Sequence, residues 1–204
     1  MSEAGRHPAA GAPGAFPEIE RTLISRERIS QRVHELATRL CEDLRAQEGG
    51  VETAAGQVVM VPIMSGAMIF ASDLVREMPL KLGLGLVAVS SYPGKSLASK
   101  GAVIKSELPA DLAGRHVVIV DDILDSGQTI ELVRKIIGEQ RPASVRACVL
   151  LRKDVPRTAT TPDEQLAEYV GFDIPDEFVV GYGLDYNGYY RNYPEIATLR
   201  KDAL

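Results

Sequence analysis

Apolar residues recur along the chain in two rhythms, and the alternation of those rhythms sets the expected architecture. From Ser25, residues Ile29, Val33, Leu36, Ala37, Leu40 and Leu44 repeat at helical spacing behind a residue suited to an N-cap, so an amphipathic helix opens the fold. "VVMVPIM" at 58–64 predicts a short buried strand, "SGA" a turn, and "MIFASDLVREM" a second helix that stops near Pro79. "LGLGLVAVSS" at 82–91 predicts another strand, and the "YPGKSLASKG" behind it has no apolar period and reads as a loop. "HVVIV" is a continuous apolar strand, "SGQTIELVRKIIGEQ" a helix with Ile130, Val133, Ile136 and Ile137 turned inward, and "SVRACVLL" the next strand. Strands that alternate with helices predict an α/β fold whose sheet is mainly parallel.

The remainder has a different texture. "EYVGFDIPDEFVVGYGLDYNGYYRNYPEI" holds most of the aromatic residues, and Gly, Pro and Asp punctuate short strands. It predicts a small hood beside the main sheet, drawn mainly from about 165–204, rather than an independent unit. Residues 1–17 are rich in Ala, Gly and Pro and are expected to be a disordered tail, which leaves 18–204 as a single domain.

Composition then removes several function classes. A chain of 204 residues can bury one substantial core without staples. Its net charge of −5 lacks the basic excess of a nucleic-acid coat, and its longest apolar runs are too short for a bilayer, so neither nucleic acid nor membrane is an expected partner. Cys41 and Cys148 are too few for a disulfide framework and wrongly spaced for a metal site, so both are expected as buried thiols. His7, His34 and His116 are scattered and suggest neither a zinc cluster nor a hydrolase triad. The cytosol is the expected compartment.

The chemistry concentrates in "VVIVDDILDSGQTIELV", residues 117–133. In open α/β sheets ligands sit beyond the carboxyl ends of the strands, where Asp121 and Asp122 fall. Adjacent carboxylates raise one another's pKa and need a partner that donates hydrogen bonds or carries positive charge; a ribose diol with bound magnesium supplies both. Asp125 to Thr129 run into a helix start, where unpaired amides favour a phosphate. Ser126 and Thr129 add hydroxyls, and Gly127 lets the backbone approach closely. No Walker A sequence is present, so a sugar phosphate is the expected ligand. Any one of the three aspartates alone would serve as a solvated strand-end charge or a helix cap; the set, between an apolar strand and a Ser-Gly-x-Thr turn, points to a site.

With its strand, acidic pair and "DSGQT" turn, this segment resembles the signature of the phosphoribosyltransferase family for phosphoribosyl pyrophosphate (PRPP). The carboxyl segment "VGFDIPDEFVVGYGLDYNGYYRNYPEI", with "LLRK", "SSY" and "IMSGA", is similar to the hypoxanthine-guanine subfamily, and the likeness runs from about Ile24 to Leu199. The resemblance implies a type I phosphoribosyltransferase fold, a mainly parallel sheet flanked by helices with a small hood from the C-terminal and N-terminal ends, and transfer of phosphoribose from PRPP to a 6-oxopurine with Mg2+, commonly in a homodimer or homotetramer. It implies that Asp121 and Asp122 hold the ribose hydroxyls, directly or through the metal, and that Ser126, Gly127, Gln128 and Thr129 cradle the 5′-phosphate. Asp125 is implied as the general base near purine N7. Lys153 is implied as donor to the 6-oxo group, with Arg152 one position away as the alternative. Phe178 would stack on the purine, the Val179 backbone would meet its edge, and Asp185 would contact the metal or its waters. Ser65 and Gly66 would meet pyrophosphate through backbone amides, in a turn that often carries a cis peptide, and Arg191 would bind it as well. Ser91 and Tyr92 would head a mobile loop that closes over the reacting centre.

Three other readings share part of these features. A regulator that keeps the fold, senses PRPP and binds RNA would bind ligand without turnover, and net acidity with retained Asp125, Lys153 and Asp185 counts against it. A transferase for xanthine or a pyrimidine is the nearest rival. PRPP synthesis would need an ATP site that no segment suggests.

Overall fold

A computed structural model describes residues 16–47, 56–90, 103–104 and 111–204. In chain order these form β1 (Ile19–Ile24), α1 (Arg26–Gln47), β2 (Val58–Met64), α2 (Met68–Glu77), β3 (Leu82–Leu84), β4 (Val87–Ser90) and β5 (Val103–Ile104). There follow β6 (His116–Leu124), α3 (Gln128–Glu139), β7 (Ser144–Lys153), α4 (Asp163–Leu166), β8 (Tyr169–Ile174), β9 (Val179–Val180) and β10 (Ile196–Leu199). The main sheet runs β5-β4-β2-β6-β7-β8, with β3 beside the first half of β2. Every pairing in it is parallel except β4 with β5.

Both faces of the sheet are covered, which is why its strands read as continuous apolar runs rather than alternating ones. Val58, Met60, Val118, Val120, Cys148 and Leu150 turn to one side, where Ile29, Leu36 and Leu40 of α1 and Phe70 and Leu74 of α2 pack. Their neighbours Val59, Val61, Val117, Ile119, Ala147 and Val149 turn to the other, against Ile130, Val133 and Ile137 of α3. Ile136, expected inward, is only half-buried. The helix expected from Ser25 buries all six of its predicted apolar positions, and Ser25 Oγ accepts from the Arg28 amide at 3.4 Å as its cap. Cys41 and Cys148 are buried free thiols, and burial pushes both upward in pKa. Among the described residues no helix is long and apolar enough to cross a membrane.

Four expectations need correction. The first element is not the helix but β1, an edge strand whose exposed charged residues hide it from pattern reading. β1 joins β10 and β9 in a separate antiparallel sheet, so the hood draws on both ends of the domain as expected, but β8, expected in the hood, is the edge of the main sheet. "LGLGLVAVSS" is two strands that both pair with β2, and between them Gly85 donates to the Met60 carbonyl at 2.9 Å. Finally, the strand that begins "HVVIV" does not stop at the aspartates but continues to Leu124.

That overshoot positions the site. β6 pairs with β2 only as far as Pro62–Val120, yet with β7 as far as Leu124–Arg152. Residues 121–124 therefore have one open flank, beside the turn that follows β2. The helix after β2 lies on one face of the sheet and the helix after β6 on the other, the crossover that opens a crevice between adjacent strand ends. Because Phe70 is fully buried under this crevice-forming helix, Phe70→Ala should lower the unfolding free energy by about 3–5 kcal/mol in urea titration, and a loss below about 1 kcal/mol would mean that the helix is not packed as described.

Candidate functional site

Residues from five segments meet beyond the carboxyl ends of β2 and β6. Asp121 is only 7% exposed. Its Oδ1 accepts the Asp122 amide at 3.0 Å, and the two neighbouring carboxyls stay within hydrogen-bonding reach of each other. The Asp122 carboxylate lies against Gly66, where a Cβ would overlap it, so any larger residue there would have to displace that carboxylate. The Met64–Ser65 peptide before it is cis. At the start of α3, Gly127 has φ +82°, and a Cβ there would come within 2.7 Å of Leu166 Cδ1 and 2.9 Å of the Ala159 Cβ. Glycine thus seats the loop on the chain behind it and leaves the amides of the helix start facing outward.

The turn at Ser65 and Gly66, the aspartates, the loop 125–129 and Asp185 with Arg191 enclose a cavity of about 430 Å³. Of the predicted cradle, Ser126, Gly127 and Thr129 line it and Gln128 does not. Arg191 donates from Nη1 to the Gly183 carbonyl at 2.5 Å and pairs through Nη2 with Asp185 Oδ1 at 2.6 Å. The other Asp185 oxygen accepts the Gly188 amide at 2.8 Å. Arg191 and Asp185 therefore reach the cavity as a pair fixed to their own loop. Burial raises the pKa of Asp121, and repulsion from Asp122 adds to it. Burial likewise raises Asp122, opposed by hydrogen bonds and by the Arg191 charge.

A second cavity, of about 210 Å³, adjoins the first and shares Asp122, Ile123, Asp125 and Asp185 with it. Its other walls are Lys153, Phe178, Val179 and Leu184. Lys153 Nζ lies 3.6 Å from Asp125 Oδ2 and 3.3 Å from Asp176 Oδ1. Successive strand residues point to opposite faces, so Arg152 turns away and binds Asp173 at 2.6 Å. The cation in this cavity is Lys153. Phe178 is 44% exposed at the opening, unusual for a large apolar side chain, and the Tyr186 ring meets it edge-on at 5.4 Å.

Ser91 and Tyr92 lie outside the described residues, as do His7 and the first fifteen residues of the expected tail. Phe16 and Pro17 of that tail are described, and the Phe16 ring packs edge-on against Tyr193 at 5.2 Å. His116 binds Ser144 at 2.8 Å and His34 pairs with Glu77 at 2.9 Å, both away from the aspartates. Ile123, Leu184 and Asp176 were not foreseen. Ile123 follows once the strand is known to continue past the acidic pair; Asp176 carries no signal in pattern or spacing. Two larger cavities, of about 480 and 610 Å³, gather none of Asp121, Asp122 and Asp125.

A sequence model of the phosphoribosyl transferase domain matches residues 26–187. The hypoxanthine-guanine phosphoribosyltransferase of Mycobacterium avium is 40% identical over 193 residues, covering 94% of this chain and 90% of that one. The one from Streptococcus pneumoniae is 35% identical over 91% of this chain and 96% of its own. Among solved structures, a Trypanosoma cruzi hypoxanthine phosphoribosyl transferase aligns with a TM-score of 0.82 at 30% identity, over 94% of this chain and 96% of that one.

The buried aspartates make stability fall with pH. A carboxyl whose pKa is raised on folding binds more protons folded than unfolded in the window above the unfolded value of about 3.9, so stability declines as pH rises through that window. Asp121→Asn, which cannot ionise, should melt higher than the parent at pH 7.5 in chelator, and the gap should close toward pH 3.5. A lower melting point for the variant at pH 7.5 would show that the ionised carboxylate is compensated in the fold.

Proposed function

The chain belongs to the phosphoribosyltransferase family, and from that premise we propose that it is a purine-salvage enzyme that transfers 5-phosphoribose from PRPP to hypoxanthine or guanine, giving IMP or GMP and pyrophosphate. One observation carries the reading. The cavity bounded by the acidic pair and the helix start shares a wall with the cavity bounded by Lys153 and Phe178, and of the three carboxylates in that wall, Asp122, Asp125 and Asp185, Asp125 is the one beside Lys153, at 3.6 Å.

In this reading the helix-start amides with Ser126 and Thr129 take the 5′-phosphate, and Ser65, Gly66 and Arg191 take the pyrophosphate. Asp121 and Asp122 hold the ribose hydroxyls. Phe178 offers its exposed face to the purine, and the Val179 backbone meets the ring edge. Lys153 donates to the 6-oxo group and thereby disfavours adenine, which presents an amino donor there. The bond from purine N9 to C1′ forms, the bond from C1′ to the pyrophosphate oxygen breaks, and the N7 proton passes to Asp125. Positive character at C1′ is stabilised by the acidic pair.

The donor set fits magnesium of a particular kind. Among the described residues no cluster of three or more His, Cys, Asp or Glu stands ready to hold a metal. Mg2+ commonly keeps several waters and takes one or two carboxylates plus substrate oxygens, which Asp121 or Asp122 and Asp185 can provide. When bound, the ion supplies charge neutralisation on the departing pyrophosphate. The same reading assigns the chain to the cytosol and to a homodimer or homotetramer, which light scattering of the purified protein tests.

The deciding assay supplies PRPP and magnesium with hypoxanthine, guanine, xanthine, adenine and uracil separately. IMP and GMP formation is the expected outcome; PRPP binding without turnover, or turnover of xanthine or uracil alone, overturns the reading. Asp125→Asn should lower kcat by about 10²-fold or more with PRPP binding little changed. Lys153→Ala should chiefly raise the purine KM, by about 10- to 100-fold, the worth of a charge-assisted hydrogen bond. Wild-type kcat in the first, or an unchanged purine KM in the second, would remove the respective role.

A further inference from the structure

The geometry points to Arg157 as a positioning residue that fixes Asp125 and Lys153 relative to each other across the purine cavity. The inference rests on the roles given to those two residues above. Arg157 lies in the loop between β7 and α4, with a side chain only 10% exposed. Nη1 donates to the Asp125 carbonyl at 2.7 Å, and Nη2 donates to the Lys153 carbonyl at 2.8 Å. Nε donates to both oxygens of Asp163, at 3.1 and 3.2 Å. One rigid planar group thus joins the backbone of the proposed base, the backbone of the proposed oxo-group donor, and an anchor at the start of α4. Arg157 lines neither substrate cavity, so it acts only through the residues it holds.

The rest of the loop is secured without Arg157. Glu131 Oε1 accepts from the amides and hydroxyls of both Thr160 and Thr161 at 2.7 to 2.9 Å. The amides of Thr158 and Ala159 both donate to the Ser126 carbonyl at 3.1 Å. Attachment of the loop therefore does not explain why a nearly buried guanidinium joins the carbonyls of Asp125 and Lys153, 28 positions apart in sequence. Its distinct effect is on spacing. Asp125 stands on a loop beyond β6, one residue past the last β6–β7 pairing at Leu124–Arg152, whereas Lys153, the last residue of β7, is still held in register by Ile174 of β8, so Asp125 is the member of the pair that strand pairing leaves unplaced. A guanidinium presents its donors in a fixed fork, whereas a lysine ammonium is a point donor on a flexible stem and cannot fix the separation.

Steady-state kinetics on Arg157→Ala, Arg157→Lys and Glu131→Ala test the assignment, with purine and PRPP varied separately. Misplacement of a catalytic group by about 1 Å can cost up to 10²-fold, so Arg157→Ala is expected to lower kcat and raise the purine KM by about 10-fold each, with the PRPP KM within about threefold. Arg157→Lys should recover melting temperature but not the purine parameters. Glu131→Ala, which loosens the same loop at its other attachment, should lower melting temperature and leave the purine KM within about twofold. Purine kcat/KM within twofold of the parent in either Arg157 variant overturns the inference, as does a parallel loss of purine and PRPP parameters shared by Arg157→Ala and Glu131→Ala. Should Arg157→Ala not fold, Arg157→Lys decides alone. A parent protein that turns over no 6-oxopurine overturns the functional reading itself, and this inference with it; a parent that does so with indifferent Arg157 variants overturns only the inference.

Discussion

Two carboxyls on consecutive residues of an interior strand are the constraint around which the molecule is arranged. Burial opposes the ionisation of both, repulsion from Asp122 adds to it at Asp121, and a sheet with strands on either side would leave them no relief. The fold leaves them one open flank by carrying β6 four residues beyond its last pairing with β2. That flank is then shaped by what can approach it. Gly66 fits against Asp122 because it has no side chain, and Arg191 reaches across from the hood with its charge. A site of this kind is destabilising by construction and is made tolerable by the large apolar core on both faces of the sheet.

The two cavities differ in what builds them. The larger is made mostly of strand ends and turns of the main sheet, whose positions follow from parallel pairing. The smaller borrows Phe178, Val179 and Leu184 from the hood and only Lys153 from the end of β7. Asp122, Ile123, Asp125 and Asp185 stand between them. A wall that belongs to both cavities brings their contents together without any separate catalytic element, which is an economical source of proximity and orientation.

The alternation of strands and helices was legible because the sheet is covered on both faces, so its strands appear as unbroken apolar runs. The acidic strand and its glycine turn were legible because few other structures need that combination. Where reading stopped, tertiary pairing decided. β1 is an exposed edge with charged side chains and has no pattern of its own; only β10 makes it a strand. The end of β6 was misjudged because Asp121 and Asp122 look like terminators until β7 is seen to pair alongside them. Which of Lys153 and Arg152 faces the smaller cavity needed the strand's facing, and the bonds of Arg157 needed the path of a loop.

The hood closes over a long stretch of chain: Thr22 of β1 donates to Glu195 at 2.8 Å, 173 positions away in sequence. A protein made from its amino end folds as it emerges, at about 5–20 residues per second. The acidic strand, the glycine loop behind it and the core beneath them can assemble while the hood segment is still unmade, so β1 waits unpaired through most of synthesis. The aromatic wall of the smaller cavity is consequently the last part to be built. Incomplete chains would carry the acidic, larger cavity without the walls that the hood gives the smaller one, and an exposed edge strand with charged side chains is well suited to that interval, since its charges discourage pairing with the wrong neighbour.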